Sequence, residues 1–368
     1  MNRHLKKSIV SLFAILSFCI FNSSSVTGQI SYLNSIKKID IHTHIVSDAS
    51  YLREVMDELN MKFFTICTRG TDMDRMNFQV NAAKEFCNQY PRYYAWSTTF
   101  DLTRRNDTDW INQVKRYLKD SFDNGAVAVK VWKEIGMQIK SPDGEYIQID
   151  DSMFEPIFDY VEQEGKTLFA HMGEPIQAWM PNPIGANGKP RGYWATNPEW
   201  HFWDKPDRPS YNEIIAARDH VLAKHTNLRF VGCHLGSLEF DVDEVAKRFD
   251  KYPNFVVDTA ARIGNLMGQE RGKVRAFLIK YQDRILYGTD MSGGMITSSG
   301  EKRTPEQAER AKKSLLQRYT NDFEFFSTDN EISRGDYSIR GLALPTEVLY
   351  KIFYGNAVRW VPGVNKDF

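Results

Sequence analysis

Cysteine is scarce in this sequence and forms no recognisable pattern. Four cysteines occur in 368 residues, and Cys67, Cys87 and Cys233 are the three outside the first thirty positions. Their odd number and wide spacing exclude a disulfide framework and a cysteine-based zinc knuckle. Each lies in an apolar stretch typical of a strand or a helix, so we expect three buried free thiols.

Other features are also absent. No basic patch suggests nucleic-acid binding, since Lys+Arg and Asp+Glu are balanced at 47 each. No apolar run beyond the N-terminus is long enough to cross a membrane. No glycine-rich phosphate loop follows the first predicted strand. We therefore expect a small-molecule partner, with no nucleic acid and no membrane once the N-terminal segment is removed.

The N-terminus has the three parts of a secretory signal peptide. A basic start at 3–7 precedes an apolar run at 9–21 and a small, polar stretch at 22–28. A membrane anchor is disfavoured because the run is short for a bilayer, and a lipoprotein site at Cys19 is disfavoured by the bulky Phe18. We predict cleavage after Gly28 and export to the periplasm or beyond. The mature chain, 29–368, then carries 44 basic and 47 acidic residues, a net charge of −3.

The mature chain alternates β-rich runs with amphipathic helical stretches, and no linker divides it. Such alternation predicts a parallel sheet, because parallel neighbours need crossover connections. Eight units predict a single (β/α)8 TIM barrel, with an open doubly wound sheet as the alternative. Loop insertions at 175–209 and 291–344 follow strands five and eight, on the face where barrel active sites lie. The predicted strands are 38–44, 62–68, 93–101, 126–132, 167–173, 229–236, 254–260 and 284–290.

Four of the seven histidines in the mature chain lie at the carboxyl ends of predicted strands. A carboxylate ends the eighth strand, which barrel closure brings beside the first. A lone histidine at such a place is more often structural than a ligand. Several imidazoles and a carboxylate converging on one rim instead suit zinc or another divalent first-row metal. We therefore predict a divalent metal site, with zinc as the first expectation, built from His42, His44, His171, His234 and Asp290.

The alternation of side chains along the first strand gives the orientation of its histidines. A period of two places His42 and His44 on one face, with Asp40 behind them. The opposite face, Ile39, Ile41, Thr43 and Ile45, would then pack against helices. The remaining histidines, His201 in the insertion and His220 and His225 in a helix, are expected to have ordinary structural roles.

These motifs together resemble the amidohydrolase superfamily. They are Asp-Ile-His-Thr-His at 40–44, His171 after a strand, Gly-Cys-His-Leu-Gly at 232–236, and Tyr-Gly-Thr-Asp at 287–290. Tyr-Gly-Asn-Ala at 354–357 is similar to the branch that contains aminocarboxymuconate-semialdehyde decarboxylase and several sugar-lactone hydrolases. The resemblance covers nearly the whole mature chain in the right order. It specifies no substrate.

The resemblance implies a role for each matching residue. His42, His44, His171 and Asp290 would hold one divalent metal. Asp290 would also act as general base, and His234 would ligate a second ion or polarise the substrate and the metal-bound water. A homo-oligomer is expected by resemblance only.

Lys130 bears on whether one or two ions bind. Val127, Val129 and Val131 would pack outward on helices, so Lys130 points into the barrel. Two-metal members of the superfamily carry a carboxylated lysine on this strand that bridges the ions. The alternative is an internal ion pair, with Asp40 or Glu174. One ion per chain is favoured, two remain open, and Lys133 is expected at the solvent-exposed rim.

Rim residues are candidates for substrate contact. Arg262 could hold a carboxylate through two hydrogen bonds, or form a salt bridge with Asp258 or Glu174, which are themselves candidates. Trp194 belongs to a tryptophan-rich insertion that would either pack on sugar rings and exclude water or form a small satellite core.

Three functions are compatible with these residues. The leading one is hydrolysis of an ester-like bond, such as that of a sugar-acid lactone, by a metal-activated water. The second is non-oxidative decarboxylation at the same metal site. The third is a non-catalytic, exported sugar-binding barrel.

Overall fold

In the computed structural model, residues 31–184, 192–297, 300–334 and 337–368 are described. The predicted signal peptide, 1–28, lies outside these ranges, so its cleavage stays a prediction. The nine strands of the main sheet are parallel. They are β1 (Lys38–Ile45), β2 (Met61–Ile66), β3 (Tyr94–Thr98), β4 (Ala128–Val131), β5 (Thr167–Ala170), β6 (Arg229–Gly232), β7 (Phe255–Asp258), β8 (Ile285–Leu286) and β9 (Met291–Gly293).

The order of the strands closes the sheet into a barrel. The strands from β1 to β8 pair in sequence order, and β9 pairs with β1. Since β8 and β9 are consecutive in the chain, they act as two halves of one eighth strand, β8 bonded to β7 and β9 bonded to β1. Between them, the N–H of Ile41 donates to the Tyr287 carbonyl at 3.0 Å and that of Asp290 to the His42 carbonyl at 2.8 Å. The prediction of an eight-stranded barrel is confirmed.

Helices follow the strands and cover the barrel. The long ones are α1 (Ser50–Leu59), α2 (Met73–Gln89), α3 (Trp110–Asp123), α4 (Glu155–Gln163), α5 (Tyr211–Lys224), α6 (Val242–Lys251), α7 (Arg271–Lys280) and α8 (Pro305–Ser327). The chain closes with the helical segments Thr346–Tyr350, Lys351–Gly355 and Asn356–Trp360. Within the described ranges, no helix combines the length and apolarity needed to cross a membrane.

The described parts of the two insertions differ in their secondary structure. The one after β8 contains α8 and an antiparallel hairpin, β10 (Glu331–Arg334) and β11 (Tyr337–Arg340). The described part of the one after β5 contains only the short turns Ile176–Trp179, Tyr193–Thr196 and Pro198–Trp200. Other short turns are Glu134–Met137, Ser152–Phe154, Cys233–Gly236 and Ile263–Met267.

The barrel wall separates two apolar clusters. The inner one takes side chains from successive strands, including Phe64, Phe169, Val231 and Val256, and the C-terminal Trp360 packs into it. The outer one lies between the strands and the helices. Val129 and Val131 belong to the outer cluster and Ala128 to the inner one, as predicted for β4. Val127 was predicted on the outward face but packs against the inner cluster, because it precedes the strand and meets the C-terminal segment at Gly363.

The predicted orientation of β1 is wrong at its start. Ile39 and Ile41 pack into the inner cluster instead of against helices. Asp40 points outward, where the hydroxyl of Tyr319 on α8 donates to it at 2.7 Å. A register shift between Asp40 and Thr43 interrupts the alternation of side chains along β1. An irregularity of this kind changes the direction of the side chains that follow it.

Candidate metal centre

The carboxyl ends of β1 and β8 bring two histidines and an aspartate together. The Nε2 atoms of His42 and His44 lie 3.5 and 3.2 Å from Oδ1 of Asp290. One ligand atom from each of these three residues lies within 4.8 Å of the others. His42 is buried, while His44 and Asp290 are partly open, with 29% and 31% of their side chains exposed. The cluster is therefore reachable from the barrel mouth.

The Nδ1 atoms of three histidines are held by fixed acceptors. That of His42 lies 2.7 Å from Oδ2 of Asp258, that of His44 lies 3.2 Å from the Ile66 carbonyl, and that of His234 lies 2.9 Å from the Ala260 carbonyl. Carbonyl oxygens only accept, so Nδ1 of His44 and His234 carries the proton. Each Nε2 atom then keeps a lone pair, the arrangement that metal-binding histidines normally have.

His171 and His234 complete the ring of histidines. The ring of His234 lies 4.7 Å from that of His42 and 4.2 Å from that of His171. Nε2 of His171 is buried and has no hydrogen-bond partner among the described residues. A buried nitrogen left unpaired is costly, and a metal ion at the mouth would satisfy it. The residues present therefore fit a divalent cation, although His171 lies outside the 4.8 Å group around Asp290.

Burial favours the neutral form of three of the histidines, which is the form that metal binding requires. It lowers the pKa of His42, that of His171 well below its usual range, and that of His234 to about 3. Burial alone would raise the pKa of Asp258 and Asp290. For Asp258 the interactions with His42 outweigh burial and lower the pKa to about 2. For Asp290 the proximity of the histidines, His44 first among them, holds the pKa well below its usual range, so both carboxylates are ionised.

Asp258 lies beneath the site and supports it, whereas the sequence predicted that it lies at the rim. It is fully buried, and its Oδ1 atom accepts the N–H of His234 at 2.7 Å while Oδ2 faces His42. It forms no ion pair with Arg262, since no acidic group of the described chain lies within salt-bridge distance of that arginine. One carboxylate thus orients histidines from β1 and from the end of β6.

The chain after β6 turns in the left-handed sense. The φ angles of His234, Leu235, Gly236 and Ser237 are 60°, 58°, 66° and 57°. This conformation costs about 1–2 kcal/mol for each residue other than glycine. Arg218 donates to the Gly236 carbonyl, and the Ser237 hydroxyl donates to that of Gly173. Fixed contacts therefore maintain a strained turn that aims His234 into the mouth.

The segment that carries Asp290 is held from behind. The N–H and hydroxyl of Thr289 donate to the carboxylate of Asp40 at 3.1 and 2.5 Å. Arg318 on α8 donates to the Thr289 carbonyl. Gly288 passes so close that a Cβ there would lie 3.0 Å from Cβ of His42. Asp290 itself has a φ of 60°, so this segment is strongly constrained around the candidate ligand.

Lys130 points into the barrel but forms neither of the ion pairs considered from the sequence. Its Nζ atom lies 2.7 Å from Sγ of Cys233, and both residues are buried. Asp40 is turned outward and Glu174 pairs with another lysine, so neither reaches it. The thiols of Cys67, Cys87 and Cys233 are all free and buried, as predicted.

The prediction that Lys133 lies in solvent at the rim is wrong. It is 3% exposed and forms an ion pair with Glu174, which is 5% exposed. Its ammonium also lies 3.2 Å from the Tyr193 hydroxyl and 4.2 Å from the centre of the Trp200 ring. The insertion after β5 folds over the end of β4 and removes this lysine from water. Glu174 is consequently occupied by an internal partner.

The aromatic insertion is partly a satellite core. Trp200 is buried with its ring 5.3 Å from that of Trp132, and Trp179 packs on Phe202 at 5.5 Å. Trp194 is half-buried against His201, and its Nε1 atom is enclosed without a partner among the described residues. Of the described tryptophans in this insertion, only Trp203 is largely exposed.

Sequence reasoning missed two features of the site. The role of Asp258 beneath His42 could have been sought, because an aspartate ending a strand beside two histidine-bearing strands is a candidate orienting group. The Lys133–Glu174 pair carries no local signal, because its two members are 41 positions apart and meet only under the folded insertion.

Comparisons with known proteins place the chain in a wider group. A family model described as Amidohydrolase matches residues 39–363. No curated protein matches the sequence. A putative amidohydrolase from Staphylococcus aureus superposes with a TM-score of 0.50 at 14% identity, covering 89% of this chain and 99% of its own.

Two solved enzymes are also similar in fold. A 5-carboxyvanillate decarboxylase from Novosphingobium aromaticivorans, complexed with manganese and 4-hydroxy-3-methoxy-5-nitrobenzoic acid, has a TM-score of 0.50 at 12% identity, covering 89% of this chain and 96% of its own. A 4-oxalomesaconate hydratase from Rhodopseudomonas palustris has a TM-score of 0.47 at 14% identity, covering 89% and 97%. At these identities the likeness concerns the fold alone.

Proposed function

The chain belongs to the amidohydrolase family, and on that premise we propose that it is a metal-dependent hydrolase of a small ester-like substrate, such as a sugar-acid lactone. The observation that carries this proposal is the arrangement of Asp290. An ionised carboxylate, partly open to the mouth, faces the Nε2 atoms of two histidines whose Nδ1 atoms are tied elsewhere. Such a carboxylate can ligate a cation and accept a proton within one site.

His42, His44, His171 and Asp290 are the proposed ligands, and one ion per chain is the proposed stoichiometry. A bound divalent cation supplies Lewis acidity, which makes water a better nucleophile and a carbonyl a better electrophile. Nitrogen and carboxylate donors suit zinc, which we propose as the ion, and also suit manganese, which the decarboxylase structure contains.

Asp290 is the proposed general base. Its depressed pKa keeps the carboxylate ionised at neutral pH, which is the form that a general base requires. The Oδ1 atom is directed at the histidines, and the residue lines a cavity at the mouth. The same carboxyl group can then return the proton to the leaving oxygen, as hydrolysis requires.

The geometry of His234 favours one of its two proposed roles. Its Nδ1–H is donated to the Ala260 carbonyl, and burial lowers its pKa to about 3. Nε2 therefore carries a lone pair and cannot donate a hydrogen bond to a developing oxyanion. A role as a ligand or proton acceptor fits this tautomer better than a role as an oxyanion donor.

Arg262 and Trp194 are the proposed substrate contacts. Arg262 is half-buried, and its Nε atom is enclosed without a partner among the described residues. It is close enough to depress the pKa of His171 and His234 electrostatically. Nε1 of Trp194 has no hydrogen-bond partner among the described residues, so it is a candidate donor to a substrate oxygen. Glu174 is a weaker candidate because Lys133 already neutralises it.

Decarboxylation at the same site is the second candidate. Arg262 could hold the carboxylate that is lost, and a solved relative in fold is a decarboxylase. The two reactions differ in what they consume, since hydrolysis incorporates an oxygen atom from water and decarboxylation releases carbon dioxide. A non-catalytic sugar-binding barrel is the third candidate, and the partly exposed Asp290 argues against it.

The test uses purified mature protein reconstituted with zinc or manganese. Sugar-acid lactones, other esters and amides, and aromatic and unsaturated carboxylic acids are incubated in ¹⁸O-labelled water. We expect ¹⁸O in the acid product of a lactone, abolished by Asp290→Asn and retained by Asp143→Asn, which alters an exposed aspartate. Carbon dioxide release without ¹⁸O incorporation would establish the lyase, and turnover of no compound would leave the sugar-binding barrel.

A further inference from the structure

Two cavities flank the segment 288–290 that carries the candidate base. One, of about 260 Å³, is lined by Asp290, Arg303, Ser314 and Arg318 among others. The second, of about 410 Å³, lies on the other side and is lined by Gly264, Thr289 and Arg318 among others. Arg318 on α8 borders both cavities, and Arg303 just before α8 borders the first. Asp290 lines the first cavity and also belongs to the candidate metal centre, so the two adjoin at this residue.

Among the described residues, both arginines lack an ion-pair partner and keep N–H groups without a protein acceptor. Nε of Arg303 donates to the Gly294 carbonyl at 3.0 Å, and Nη2 of Arg318 donates to the Thr289 carbonyl. Within the described part of the chain, no carboxylate comes within 4.0 Å of either guanidinium, whereas the Arg271, Arg340 and Arg248 side chains all have acidic partners. A guanidinium has five N–H donors, so most of those on these two arginines face no acceptor among the described residues.

Asp290 forms no ion pair with Arg303 or Arg318, because its carboxylate is directed at His44 and His42, at 3.2 and 3.5 Å. A half-buried cation without an ion-pair partner is unfavourable, and these two arginines share one cavity. The lining of that cavity carries two guanidinium groups and a single carboxylate, that of Asp290. Asp322 on α8 lies beside Arg318 only in the second cavity. Positive charge is therefore in excess in the first cavity.

We propose that the cavity beside Asp290 binds a carboxylate group of the substrate, at the end remote from the bond that reacts, through Arg303 and Arg318. Arginine is suited to this because its planar donors match the two carboxylate oxygens. The cavity volume restricts the ligand to a small acid. This assignment rests on the proposed function, since it places the reacting bond at the metal centre next to Asp290.

The probe is succinate, with the uncharged succinamide as its matched control, and binding is measured by isothermal titration calorimetry on zinc-loaded and on metal-free protein. We expect succinate to bind more tightly than succinamide in both forms. Arg303→Met and Arg318→Met should each weaken succinate binding about tenfold or more, since a hydrogen bond to a charged group contributes that much. Arg318→Lys should recover part of the loss. Arg310→Met, which alters an exposed arginine of α8, should have no effect.

Metal content is measured on every variant, because Arg318 also supports Thr289. Weakening confined to Arg318→Met together with loss of metal would make Arg318 a structural residue and overturn the assignment. Equal binding of succinate and succinamide, or unchanged binding in both methionine variants, would also overturn it. Arginine-dependent binding in a protein that turns over no substrate would instead contradict the proposed hydrolysis and leave the anion site standing.

Discussion

Oδ2 of Asp258 lies 2.7 Å from Nδ1 of His42, and neither side chain is reached by solvent. The other oxygen of the same carboxylate accepts the main-chain N–H of His234 at 2.7 Å. Residues 216 and 24 positions away in the chain are thus fixed by one buried group. Asp258 sets the tautomer of the first and the position of the second, although it is not itself one of the proposed ligands.

Replacing this support should weaken metal binding. We expect Asp258→Asn to lower the affinity for zinc about 10–100-fold, because residues that orient ligands typically contribute that much. The amide also loses the charge that favours the Nδ1-protonated imidazole. The measurement is chelator competition. Asp123→Asn, which alters an exposed aspartate, is the control, and equal affinities in the two variants would remove Asp258 from the site.

The stability of the metal-free protein should depend on pH through the same cluster. Burial lowers the pKa of His42, His171 and His234 in the folded state, whereas unfolded histidine titrates near ~6.5. Below that pH the unfolded chain binds protons that the folded chain excludes, so the free energy of unfolding falls as the pH falls. Each excluded proton contributes at most ~1.4 kcal/mol per pH unit.

Two carboxylates modify this profile. The pKa of Asp258 is lowered to about 2 in the folded state. Its contribution to the free energy of unfolding is therefore fully present above pH ~4 and is lost as the pH falls through 2. Burial raises the pKa of Asp40 to about 6. Between pH ~4 and 6 the folded chain therefore binds a proton at Asp40 that the unfolded chain does not, and this opposes the effect of the histidines on the free energy of unfolding. Urea titrations from pH 4 to 7.5 measure the sum. His171→Asn should flatten the slope and the exposed His220→Asn should not, and identical slopes would show that His171 is accessible to protons.

Removing only one partner of the ion pair beneath the insertion should lower the free energy of unfolding strongly. Lys133→Met leaves the carboxylate of Glu174 buried without its partner, which typically costs 3–5 kcal/mol. The double variant Lys133→Met/Glu174→Gln should recover most of that loss. Urea unfolding gives both values. The exposed pair Lys119–Asp123 is the control, where Lys119→Met should cost far less because solvent screens the pair, and an equal cost at both sites would contradict the burial of Lys133.

One metal ion per chain is expected, and it should not depend on Lys130. The Nζ atom of this lysine contacts Sγ of Cys233 at 2.7 Å, a contact that a carboxylated, bridging lysine would give up. Plasma emission on the wild type and on Lys130→Met should give close to one ion in each, and Asp290→Asn should lower the content. Two ions in the wild type, reduced by Lys130→Met, would show a bridged pair instead.

Export remains a proposal from the N-terminal sequence. Expression with the complete N-terminus in a bacterial host should give a mature protein beginning at Gln29, as read by N-terminal sequencing of the periplasmic fraction. Replacing Leu12 and Leu16 with arginine breaks the apolar run and should leave the full-length chain in the cytoplasm. An uncleaved wild-type chain would contradict the signal peptide.

The sequence by itself determined the barrel and indicated where the candidate site lies. Strand positions follow from β-rich runs separated by amphipathic helices, and that periodic signal is local. His42, His44, His171, His234 and Asp290 were identified because each ends a strand, and the parallel barrel brings all such ends to one face. The period of two also oriented β4 correctly, so that Lys130 was placed inside.

Tertiary structure alone decided which groups pair. Because of the register shift in β1, Asp40 faces outward to Tyr319 while His42 and His44 face the mouth, and no composition signal announces a shift that depends on the neighbouring strand. The contact of Asp258 with His42 and the burial of Lys133 against Glu174 join residues from different strands and from a folded insertion. Such partners are set by distance in space, which the local sequence does not encode, and they decide the protonation state and the orientation of the candidate ligands.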